Sequence, residues 1–567
     1  MSRIRNIEIR NFRCIREFSW WPSPGINCLV GPGDVGKSSI LDAIDLCLGA
    51  RRTTQFTDAD FFNLDVEIPV SITMTIGELD DSLKNMEAYG NFLRSCNTET
   101  RTIEDEPEKD CETVLTLRLT VAGDLEPVWS LVSDRAAAQS QTRNLNWTDR
   151  LRLSPTRIGA LNDYNLAWRR GSVLNRLSEE KADTSAALAK AAREARSAFG
   201  DQADAQLGET LGIVAATAKE LGIPVGEKLK AMLDAHSVSF GGGTVSLHNE
   251  DGIPLRSLGL GSTRLLIAGL QRKAAKESTV ILIDELEHGL EPHRIIRLLG
   301  SIGAKEKTPP LQAFVTTHSP VALRELAGDQ LFVVRETDGK HSADMLGTED
   351  AIQGTIRSFP DAFLAKAVIV CEGASEVGLL RGLDRVMVAQ GEPSLTALGV
   401  ALVDAGGCDH IYKRADAFQR LKYRVSVFRD DDKQPDESTE KAFVDGGGSL
   451  FKWREGRALE DELFLSLTDG AVFKLIERAE ELHGTELIDA HISSESLGAL
   501  TLAECKSDLD HTKRSILAKA ARSKKNSWFK SVSWMEGVAD EIVAADEEAD
   551  EDFWEIVNSV YNWITES

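Results

Sequence analysis

The chain of 567 residues lacks both a long apolar run and a pair of closely spaced cysteines. A transmembrane helix needs about 20 consecutive apolar residues, so the sequence predicts no membrane span. The eight cysteines are scattered and form no Cys-x-x-Cys pair, which argues against a zinc site and a disulfide framework and favours a reducing compartment. The N-terminus alternates charged and apolar residues, a pattern that is not typical of a secretory signal.

The composition is that of a folded globular protein. Hydrophobic residues make up 42% and charged residues 27% of the chain, which excludes a mainly disordered or fibrous protein. At roughly 150 residues per domain, the length predicts three or four domains. The net charge of −25 disfavours non-specific nucleic-acid binding. The charge is uneven, however, because 511–530 carries seven Lys and Arg residues and no acid, and this distribution permits DNA binding.

The hydrophobic pattern predicts two α/β units. Strands that alternate with helices favour a parallel sheet, and the strands at 66–76 and 113–122 are expected to be antiparallel. Residues 178–235 have helical periodicity, and the acid-rich segment at 100–112 is expected to be a loop. The other predicted strands lie at 4–12, 25–31, 237–248, 279–284, 311–317, 366–372, 398–403 and 424–429, and the other helices lie at 263–276 and begin near 37 and 375.

A glycine-rich segment, GPGDVGKS at 31–38, follows a predicted strand and precedes a predicted helix. It fits the pattern GxxxxGK[ST] in the context that this motif requires. Glycines let backbone amides surround phosphates, and the helix N-terminus adds partial positive charge. Lys37 is predicted to reach the β- and γ-phosphates of ATP, and Ser38 is predicted to bind Mg²⁺. The predicted nucleotide-binding residues of this segment are Gly31, Gly33, Gly36, Lys37, Ser38 and Ser39.

Three shorter motifs follow in the order expected of an ATP site. The strand ILID ends at Asp284 and Glu285, which predicts one carboxylate on Mg²⁺ and the next beside the attacking water. His318, in TTHSP, is predicted to sense the γ-phosphate. Each motif alone is also compatible with polar residues that simply end a strand. The small-residue segment at 257–263 contributes Gly259, Gly261 and Ser262 to the predicted site.

Together with the opening motif around Asn11, Phe12 and Arg13, this order resembles the ATP-binding-cassette (ABC) ATPases of the SMC and RecF type. In that class the small-residue signature of one protomer completes the nucleotide site of another, so the resemblance implies a dimer. Two positions depart from the pattern. The class usually carries Asn where this chain has Gly33, and Gln55 is the nearest candidate for a Q-loop.

The second half places carboxylates at the ends of two predicted strands. Glu372 follows the first strand, Glu376 lies in the helix after it, and the triplet at 430–432 (DDD) follows the second strand. Such strand ends meet at one edge of a parallel sheet, where hard oxygen ligands suit Mg²⁺ or Mn²⁺. A two-metal site stabilises the attacking and leaving oxygens in phosphodiester cleavage. The alternative is a set of solvated acids.

The Glu and DxD pattern resembles a Toprim domain, and no topoisomerase or primase motif accompanies it. An ABC ATPase of the RecF type followed by Toprim resembles the OLD (overcoming lysogenisation defect) nucleases over nearly the whole chain. The long C-terminal part is more similar to class 2 members, which include the nuclease subunit of the Gabija anti-phage system. That subunit works with a UvrD-like helicase.

The resemblance assigns roles to residues of the second half. Two roles are predicted for Arg429. It either binds a phosphate or reduces the repulsion between the neighbouring acids. Asp461 and Glu462 remain alternatives to Glu460. The implied metal ligands are Glu372, Glu376, Asp430, Asp432 and Glu460. The implied catalytic residues are Glu372 as base, Lys525 or Lys530 beside the cleaved phosphate, and Glu285 in the ATPase site.

Changes in composition and in predicted secondary structure along the chain, together with the resemblance, predict four segments. These are the N-terminal part of the ABC ATPase (1–150), a helical dimerisation insertion (151–236), the C-terminal part of the ATPase (237–350), and a Toprim domain with a helical extension (351–567). The predicted fold class is therefore α/β, an ABC-type ATPase of the SMC and RecF type followed by Toprim.

The resulting prediction is a nucleotide-regulated, Mg²⁺- or Mn²⁺-dependent DNA endonuclease of the prokaryotic cytoplasm. It is expected to use ATP and to form a homodimer through the cassette and the helical insertion, with a tetramer left open. Two alternatives remain, a RecF-type DNA-repair ATPase whose Toprim domain binds partners, and an RNA-cleaving toxin. The intact Glu and DxD set argues against the first, while the basic segment at 511–530 fits either nucleic acid.

Overall fold

A computed structural model describes residues 2–51, 54–159, 165–168, 172–177, 184–221, 245–275, 279–523, 525–544 and 549–566, with the single positions 224, 226, 228, 229 and 231. Its strands are β1 (Arg3–Phe12), β2 (Ile15–Trp20), β3 (Ile26–Val30), β4 (Val70–Gly77), β5 (Leu93–Asn97), β6 (Thr102–Glu104), β7 (Glu112–Val121), β8 (Pro127–Leu131), β9 (Thr156–Ile158), β10 (Val280–Ile283), β11 (Gln312–Thr316), β12 (Leu331–Thr337), β13 (Lys340–Met345), β14 (Ala367–Cys371), β15 (Val400–Asp404), β16 (Arg424–Arg429) and β17 (Ser449–Lys452).

Helices connect most of these strands and form the C-terminal part. Among the described residues, no helix combines the length and the apolar character needed to cross a membrane. The helices are α1 (Lys37–Leu48), α2 (Met86–Tyr89), α3 (Asp134–Ala138), α4 (Trp147–Leu153), α5 (Val173–Leu177), α6 (Thr184–Glu220), α7 (Leu260–Lys273), α8 (Pro292–Ser301), α9 (Pro320–Glu325), α10 (Asp350–Ser358), α11 (Ala374–Ala389), α12 (Cys408–Arg420), α13 (Glu437–Asp445), α14 (Leu459–Ser466), α15 (Asp469–His483), α16 (Thr485–Glu495), α17 (Leu502–Ser507), α18 (His511–Ala521), α19 (Val532–Val538) and α20 (Glu551–Thr565).

Within the described residues, thirteen strands form one mixed sheet in the order β6-β5-β7-β4-β1-β2-β13-β12-β3-β11-β10-β9, with β8 beside β7. One end is antiparallel, as the β1–β4 and β4–β7 pairs show. The strands β12, β3, β11, β10 and β9 are parallel. The carboxyl ends of β3, β10 and β11 therefore meet at one edge, which is where ligands bind in such sheets.

Most of the predicted strands are confirmed, including the antiparallel pair β4 and β7. Two expectations were wrong. Three strands, not two, occupy the first 30 residues, and β6 lies within the predicted loop at 100–112 because it pairs with β5. The two strands form a hairpin within 93–104, and β6 was missed because its polar, acid-rich composition does not favour a strand. The predicted strand at 237–248 lies outside the described residues over 237–244.

The helical segment at 178–235 is represented mainly by α6, since 178–183 and most of 222–235 lie outside the described residues. Alanine-rich composition favours this helix, but Leu207, Ile213 and Val214 are exposed on it. The predicted insertion at 151–236 also contains β9, which pairs with β10. The four predicted segment boundaries stay predictions.

A second sheet holds four parallel strands in the order β15-β14-β16-β17. Its two faces belong to different cores. One face shares a continuous core with the large sheet, in which Val315 and Ile283 lie with Val370 and Tyr423. The other face packs against the C-terminal helices around Trp528. The two sheets are therefore in direct contact within one packed body.

Candidate functional site

The glycine-rich loop lies between β3 and α1, at the edge where the parallel strands end. Gly31 and Gly36 adopt left-handed backbone angles, with φ of +127° and +80°, which glycine tolerates without steric cost. A Cβ at Gly31 would lie 2.8 Å from the carbonyl oxygen of Val334, whereas a Cβ at Gly33 would meet open space. The Gly33 position therefore has room for the Asn that related ATPases carry.

Lys37 is buried inside this loop. Its Nζ donates to the carbonyl oxygens of Gly31 at 3.0 Å and Pro32 at 2.5 Å. Burial lowers the pKa of Lys37 to about 8, although the charges of Asp34, Glu287 and Asp284 oppose the shift. The ammonium group is thus held by carbonyl oxygens of the loop, and a phosphate bound beside it would favour its charged form.

Asp284 connects the loop to the acidic strand β10. Its Oδ1 accepts hydrogen bonds from Ser38 Oγ at 3.0 Å and from Thr316 Oγ1 at 2.6 Å. Ser38 and Asp284 are therefore brought together, and their hard oxygens fit Mg²⁺. Glu285, at φ +47°, donates its backbone N–H to Thr316, while its side chain is 64% exposed and lies 3.3 Å from His288 Nδ1.

His318 lies at the end of β11, at the same edge as Lys37. Burial, and then the charge of Lys37, lower the pKa of His318, which favours the neutral imidazole. The motif analysis missed Glu287, whose carboxylate accepts from Thr317 Oγ1 at 2.6 Å and from the His318 N–H at 2.8 Å. Its position two residues after Glu285 is a local signal that could have indicated it.

The small-residue signature begins α7. A Cβ at Gly261 would lie 2.5 Å from the carbonyl oxygen of Gly289, so only glycine allows this approach. Arg264, also missed by sequence analysis, donates to the carbonyl oxygens of Asp284 at 2.9 Å and His288 at 2.7 Å. In the described part of the chain, no hydrogen bond joins Gly259, Gly261 or Ser262 to the glycine-rich loop of the same protomer. Ser39 lies near Cys14, and Gln55 is exposed.

A second cluster lies at the carboxyl edge of the four-stranded sheet. Glu372 follows β14, Asp430 follows β16, and Glu376 and Glu460 lie in the first turns of α11 and α14. The backbone N–H of Asp430 donates to Glu372 Oε2 at 3.2 Å, and Asp430 Oδ1 accepts from the N–H of Leu459 at 2.9 Å. Four predicted ligands from separate elements are thus brought to one place.

These acids repel one another in a buried setting. Burial, and then the charges of Glu460 and Glu372, raise the pKa of Glu376 to about 8. Burial, and then Glu376, Glu460 and Glu372, raise the pKa of Asp430 well above its usual range. The pKa values of Glu372 and Glu460 are also raised, chiefly by burial. No ion pair among the described residues involves any of the four.

The donor set fits a divalent cation. Buried carboxylates without a cationic partner are costly, and oxygen-coordinated metal ions relieve that cost. Among the described residues, no three His, Cys, Asp or Glu side chains already lie together at metal-binding spacing. A bound cation would therefore have to draw these carboxylates together.

Asp432, the fifth predicted ligand, has a different partner. Its Oδ2 accepts from Arg522 Nη1 at 2.9 Å, and the same Nη1 lies 3.1 Å from Asp461 Oδ2. Asp461 also caps α14 by accepting from the N–H of Ala458. Glu462 forms ion pairs with arginines instead. Of the three acids left open by the sequence, Glu460 is the one in the cluster.

Arg429 is completely buried between Asp431 and Glu440. It has no exposed atom to offer a phosphate, so it supports the neighbouring acids. Lys530 and Lys525 are both exposed. The positive charge of Lys530, with that of Arg522, opposes the rise in the pKa of Glu460. Among the described residues, neither lysine forms a hydrogen bond or an ion pair with the cluster, so the choice between Lys525 and Lys530 stays a prediction, which the charge of Lys530 near Glu460 favours.

The basic segment 511–530 is less free than its composition indicates. Lys513 pairs with Asp508 at 2.5 Å, and Arg514 pairs with Asp469 and donates to the carbonyl oxygen of Leu467 at 2.7 Å. These bonds anchor α18 to the helical extension. Part of the charge of this segment is therefore satisfied within the protein, and binding of nucleic acid by the rest stays a prediction.

Two family models match the chain. The first, described as "AAA domain, putative AbiEii toxin, Type IV TA system", matches residues 26–324, more than half of the chain. The second, described as "Overcoming lysogenization defect protein-like, TOPRIM domain", matches residues 363–432. The chain therefore belongs to the OLD family of proteins, which join an ABC-type ATPase to a Toprim domain. The two domains imply the use of a nucleotide and a divalent metal.

Curated relatives match over a short stretch. The DNA replication and repair protein RecF of Prosthecochloris aestuarii (strain DSM 271 / SK 413) is 38% identical over 65 residues, 12% of this chain and 18% of that protein. RecF of Chlorobium phaeovibrioides (strain DSM 265 / 1930) is 38% identical over 58 residues, 10% of this chain and 16% of that protein. The chain thus spans less than a fifth of the length of these relatives.

Solved structures that match the chain include an Smc head and a RecF protein. An Smc head bound to the C-winged helix domain of ScpA is 17% identical, with a TM-score of 0.33, and the match covers 62% of this chain and 99% of that one. The recombination mediator protein RecF-ATPrS in the RecFOR pathway is 12% identical, with a TM-score of 0.30, and the match covers 61% of this chain and 98% of that one.

Proposed function

We propose that this protein is a nucleotide-regulated, divalent-metal-dependent DNA endonuclease whose Toprim site cleaves phosphodiester bonds. The observation that carries the proposal is the cluster of Glu372, Glu376, Asp430 and Glu460, four acids without ion pairs that converge from separate elements. Burial of so much negative charge is unfavourable in a domain that only docks a partner. Such a cluster is favourable once cations and a phosphate occupy the site.

The proposal gives each of these residues a role. Glu372, Glu376, Asp430 and Glu460 would hold the cations, and Asp432 would join them. Bound divalent cations supply positive charge for the attacking and leaving oxygens. Glu372 is proposed to accept the proton of the attacking water, and Lys530, whose charge acts on Glu460, is proposed to neutralise charge on the cleaved phosphate. The expected products carry 3′-hydroxyl and 5′-phosphate ends.

Nicking of supercoiled plasmid by the purified protein tests the proposal. We expect cleavage with Mg²⁺ or Mn²⁺, no cleavage in EDTA, and loss of cleavage in Glu372→Ala. The matched control is Glu437→Ala, which removes an exposed acid from the first turn of α13. Equal nicking by wild type and Glu372→Ala would show that the Toprim cluster is not the active site.

The ATPase part is proposed to bind ATP and Mg²⁺ and to regulate the nuclease as a dimer. Gly31, Gly36, Lys37 and Ser38 hold the phosphates and the ion, with Asp284, Glu285 and His318 around the γ-phosphate. The signature at 257–263 is proposed to complete the site of a second protomer. Addition of ATP to the nicking assay, beside Lys37→Ala, reports whether the nucleotide licenses or restrains cleavage.

Further parts of the proposal rest on family resemblance. The chain is proposed to be a class 2 member that acts in anti-phage defence in a prokaryotic cytoplasm, with a UvrD-like helicase as partner. Dimers formed through the cassette and the helical insertion could pair into a tetramer. Sedimentation of the protein alone and co-purification with the helicase test these assemblies.

A second candidate is a RecF-type DNA-repair ATPase, which the local similarity to RecF favours. In that case Glu372→Ala would leave ATP-dependent DNA binding and the biological activity unchanged. An RNA-cleaving toxin would use the same chemistry on another substrate. A panel of single-stranded and double-stranded DNA and RNA separates this alternative from the DNA endonuclease.

A further inference from the structure

Arg522 lies beside the carboxylate cluster, where its positive charge acts on Glu460. It directly follows α18, and its Nη1 donates to Asp432 Oδ2 at 2.9 Å and lies 3.1 Å from Asp461 Oδ2. Its side chain is 29% exposed, so solvent reaches it. Asp432 and Asp461 come from two different elements, the loop after β16 and the first turn of α14. One guanidinium therefore joins two parts of the site.

This contact involves an acid that the proposed chemistry requires elsewhere. Asp432 is a proposed cation ligand, and its negative charge raises the pKa values of Glu372 and Asp430, so it lies near the cluster. While Asp432 is paired with Arg522, the cluster is one ligand short. Among the described residues, Asp432 is the proposed ligand that forms an ion pair with Arg522, while Asp461, the other partner, is not a proposed ligand.

We propose that Arg522 is a positioning residue that exchanges Asp432 for a backbone phosphate of the nucleic acid, and thereby delivers Asp432 to the cation only when substrate is present. This inference rests on the proposed function and names the group that couples metal binding to substrate binding. No covalent step is involved, because one ion pair replaces another.

Guanidinium chemistry supports this exchange. A planar guanidinium with several N–H donors pairs with carboxylates and with phosphates in similar geometry. A partly exposed ion pair contributes little stability, so a polyanion can displace it. Arg514 anchors α18 through Asp469 and Leu467, which keeps Arg522 near the site after it releases Asp432.

Binding of Mn²⁺ to the full-length protein, followed by electron paramagnetic resonance, tests the inference without cleavage. Titrations are made with and without a short phosphorothioate DNA duplex, and Asp430→Asn defines the Mn²⁺ that binds outside the cluster. For wild type, we expect DNA to tighten Mn²⁺ binding by about fivefold or more, and Mn²⁺ to tighten DNA binding by the same factor. For Arg522→Ala, we expect tight Mn²⁺ binding without DNA and little further effect of DNA.

The control variant is Lys519→Ala, which removes a positive charge from the exposed face of the same helix. Both variants should reduce the salt dependence of DNA binding if both side chains face phosphates, but only Arg522→Ala should change Mn²⁺ affinity. Arg522→Lys retains the positive charge but lacks the planar guanidinium, so the coupling between Mn²⁺ binding and DNA binding should be intermediate. Thermal unfolding checks that each variant is folded. If Arg522→Ala does not fold, the comparison is made between wild type and Arg522→Lys.

Nicking kinetics provide a separate readout. Arg522→Ala should raise the KM for DNA by about tenfold, with a smaller change in kcat and a lower Mn²⁺ requirement. Equal Mn²⁺ affinity in wild type, Arg522→Ala and Lys519→Ala would overturn the inference. If wild type still nicks in that case, the proposed function stands; if Mn²⁺–DNA coupling is present but nicking is absent, the proposed function falls instead.

Discussion

At the residue scale, Glu376 shows how burial sets the pH response. Its pKa is raised to about 8 by burial and by Glu460 and Glu372, whereas an unfolded chain ionises such a group near pH 4.5. The protonated carboxyl of Glu376 therefore favours the folded state at low pH. Its contribution to the free energy of unfolding falls as the pH rises from about 4.5 to about 8. In EDTA, we expect Glu376→Gln to raise the Tm near pH 9 more than near pH 6.

Thermal unfolding at the two pH values measures this difference, and Glu437→Gln controls for the loss of an exposed acid. Asp430, Glu372 and Glu460 shift in the same direction, so Glu376→Gln removes part of the pH dependence. An identical change in Tm at both pH values would contradict the assignment of the raised pKa to Glu376.

The same acids predict how the protein responds to metal removal. Cations compete with protons for the carboxylates, so affinity should rise with pH across the range in which Glu376 ionises. We expect Mg²⁺ to increase the Tm relative to EDTA more near pH 8 than near pH 6, because tighter binding stabilises the folded state more. Asp430→Asn should remove most of this difference. A pH-independent effect of Mg²⁺ would argue against binding at this cluster.

Lys37 makes a prediction for the nucleotide site. Burial lowers its pKa to about 8 in the free protein, while ATP binding requires the charged form. Above about pH 8, ATP affinity should fall by up to about tenfold per pH unit, and binding should take up a proton. Calorimetry in two buffers of different ionisation enthalpy measures the proton uptake. Lys37→Met should bind ATP weakly and without this pH dependence.

At the element scale, α6 is a long helix whose described side chains are mostly exposed. Ile213 and Val214 are 62% and 49% exposed, and most helices gain their stability from packing of an apolar face. If α6 pairs with a second copy, Ile213→Glu should shift the protein from dimer to monomer in sedimentation. Glu209→Ala, a change at an exposed polar position of the same helix, should leave the dimer intact. A dimer that survives Ile213→Glu would place the interface elsewhere.

At the scale of the whole molecule, one core joins the ATPase sheet to the Toprim sheet. Arg335 of β12 stacks on Tyr423, with 3.6 Å between its guanidinium carbon and the ring centre, and donates to the carbonyl oxygen of Ala365 at 3.2 Å. Tyr423 in turn donates to the carbonyl oxygen of Phe363 at 2.6 Å. This contact joins β12 of the large sheet to the start of β16, and we propose that it couples the nucleotide site to the nuclease site.

We therefore expect Arg335→Ala to retain ATP binding and basal nicking but to lose the effect of ATP on nicking. Loss of a buried cation–aromatic contact costs about 1–2 kcal/mol, which is too little to unfold a chain of this size. Lys340→Ala, which removes an exposed charge from neighbouring β13, is the control. An unchanged ATP effect in Arg335→Ala would show that coupling runs by another route.

The sequence predicted those parts of the site whose residues lie close together along the chain. The loop at 31–38 and the acids at 284, 372 and 430 each follow a short apolar run, so a local pattern identifies both the strand and the residue that ends it. Glu287, Arg264 and Arg522 were missed because their roles depend on partners that are distant in sequence. Asp432 illustrates the same limit, since its position in a motif does not reveal that Arg522 holds it.

The amino-acid sequence by itself determined the two α/β units, the order of the ATPase motifs and the acids of the Toprim edge, because each depends on spacing within a few residues. Only the tertiary structure decided that Glu460 packs with Glu376 and Asp430, how much of the basic segment is already paired, and that one core joins the two sheets. These outcomes depend on distances between residues separated by tens or hundreds of positions. Burial and charge act through space, so they become definite only when the chain is folded.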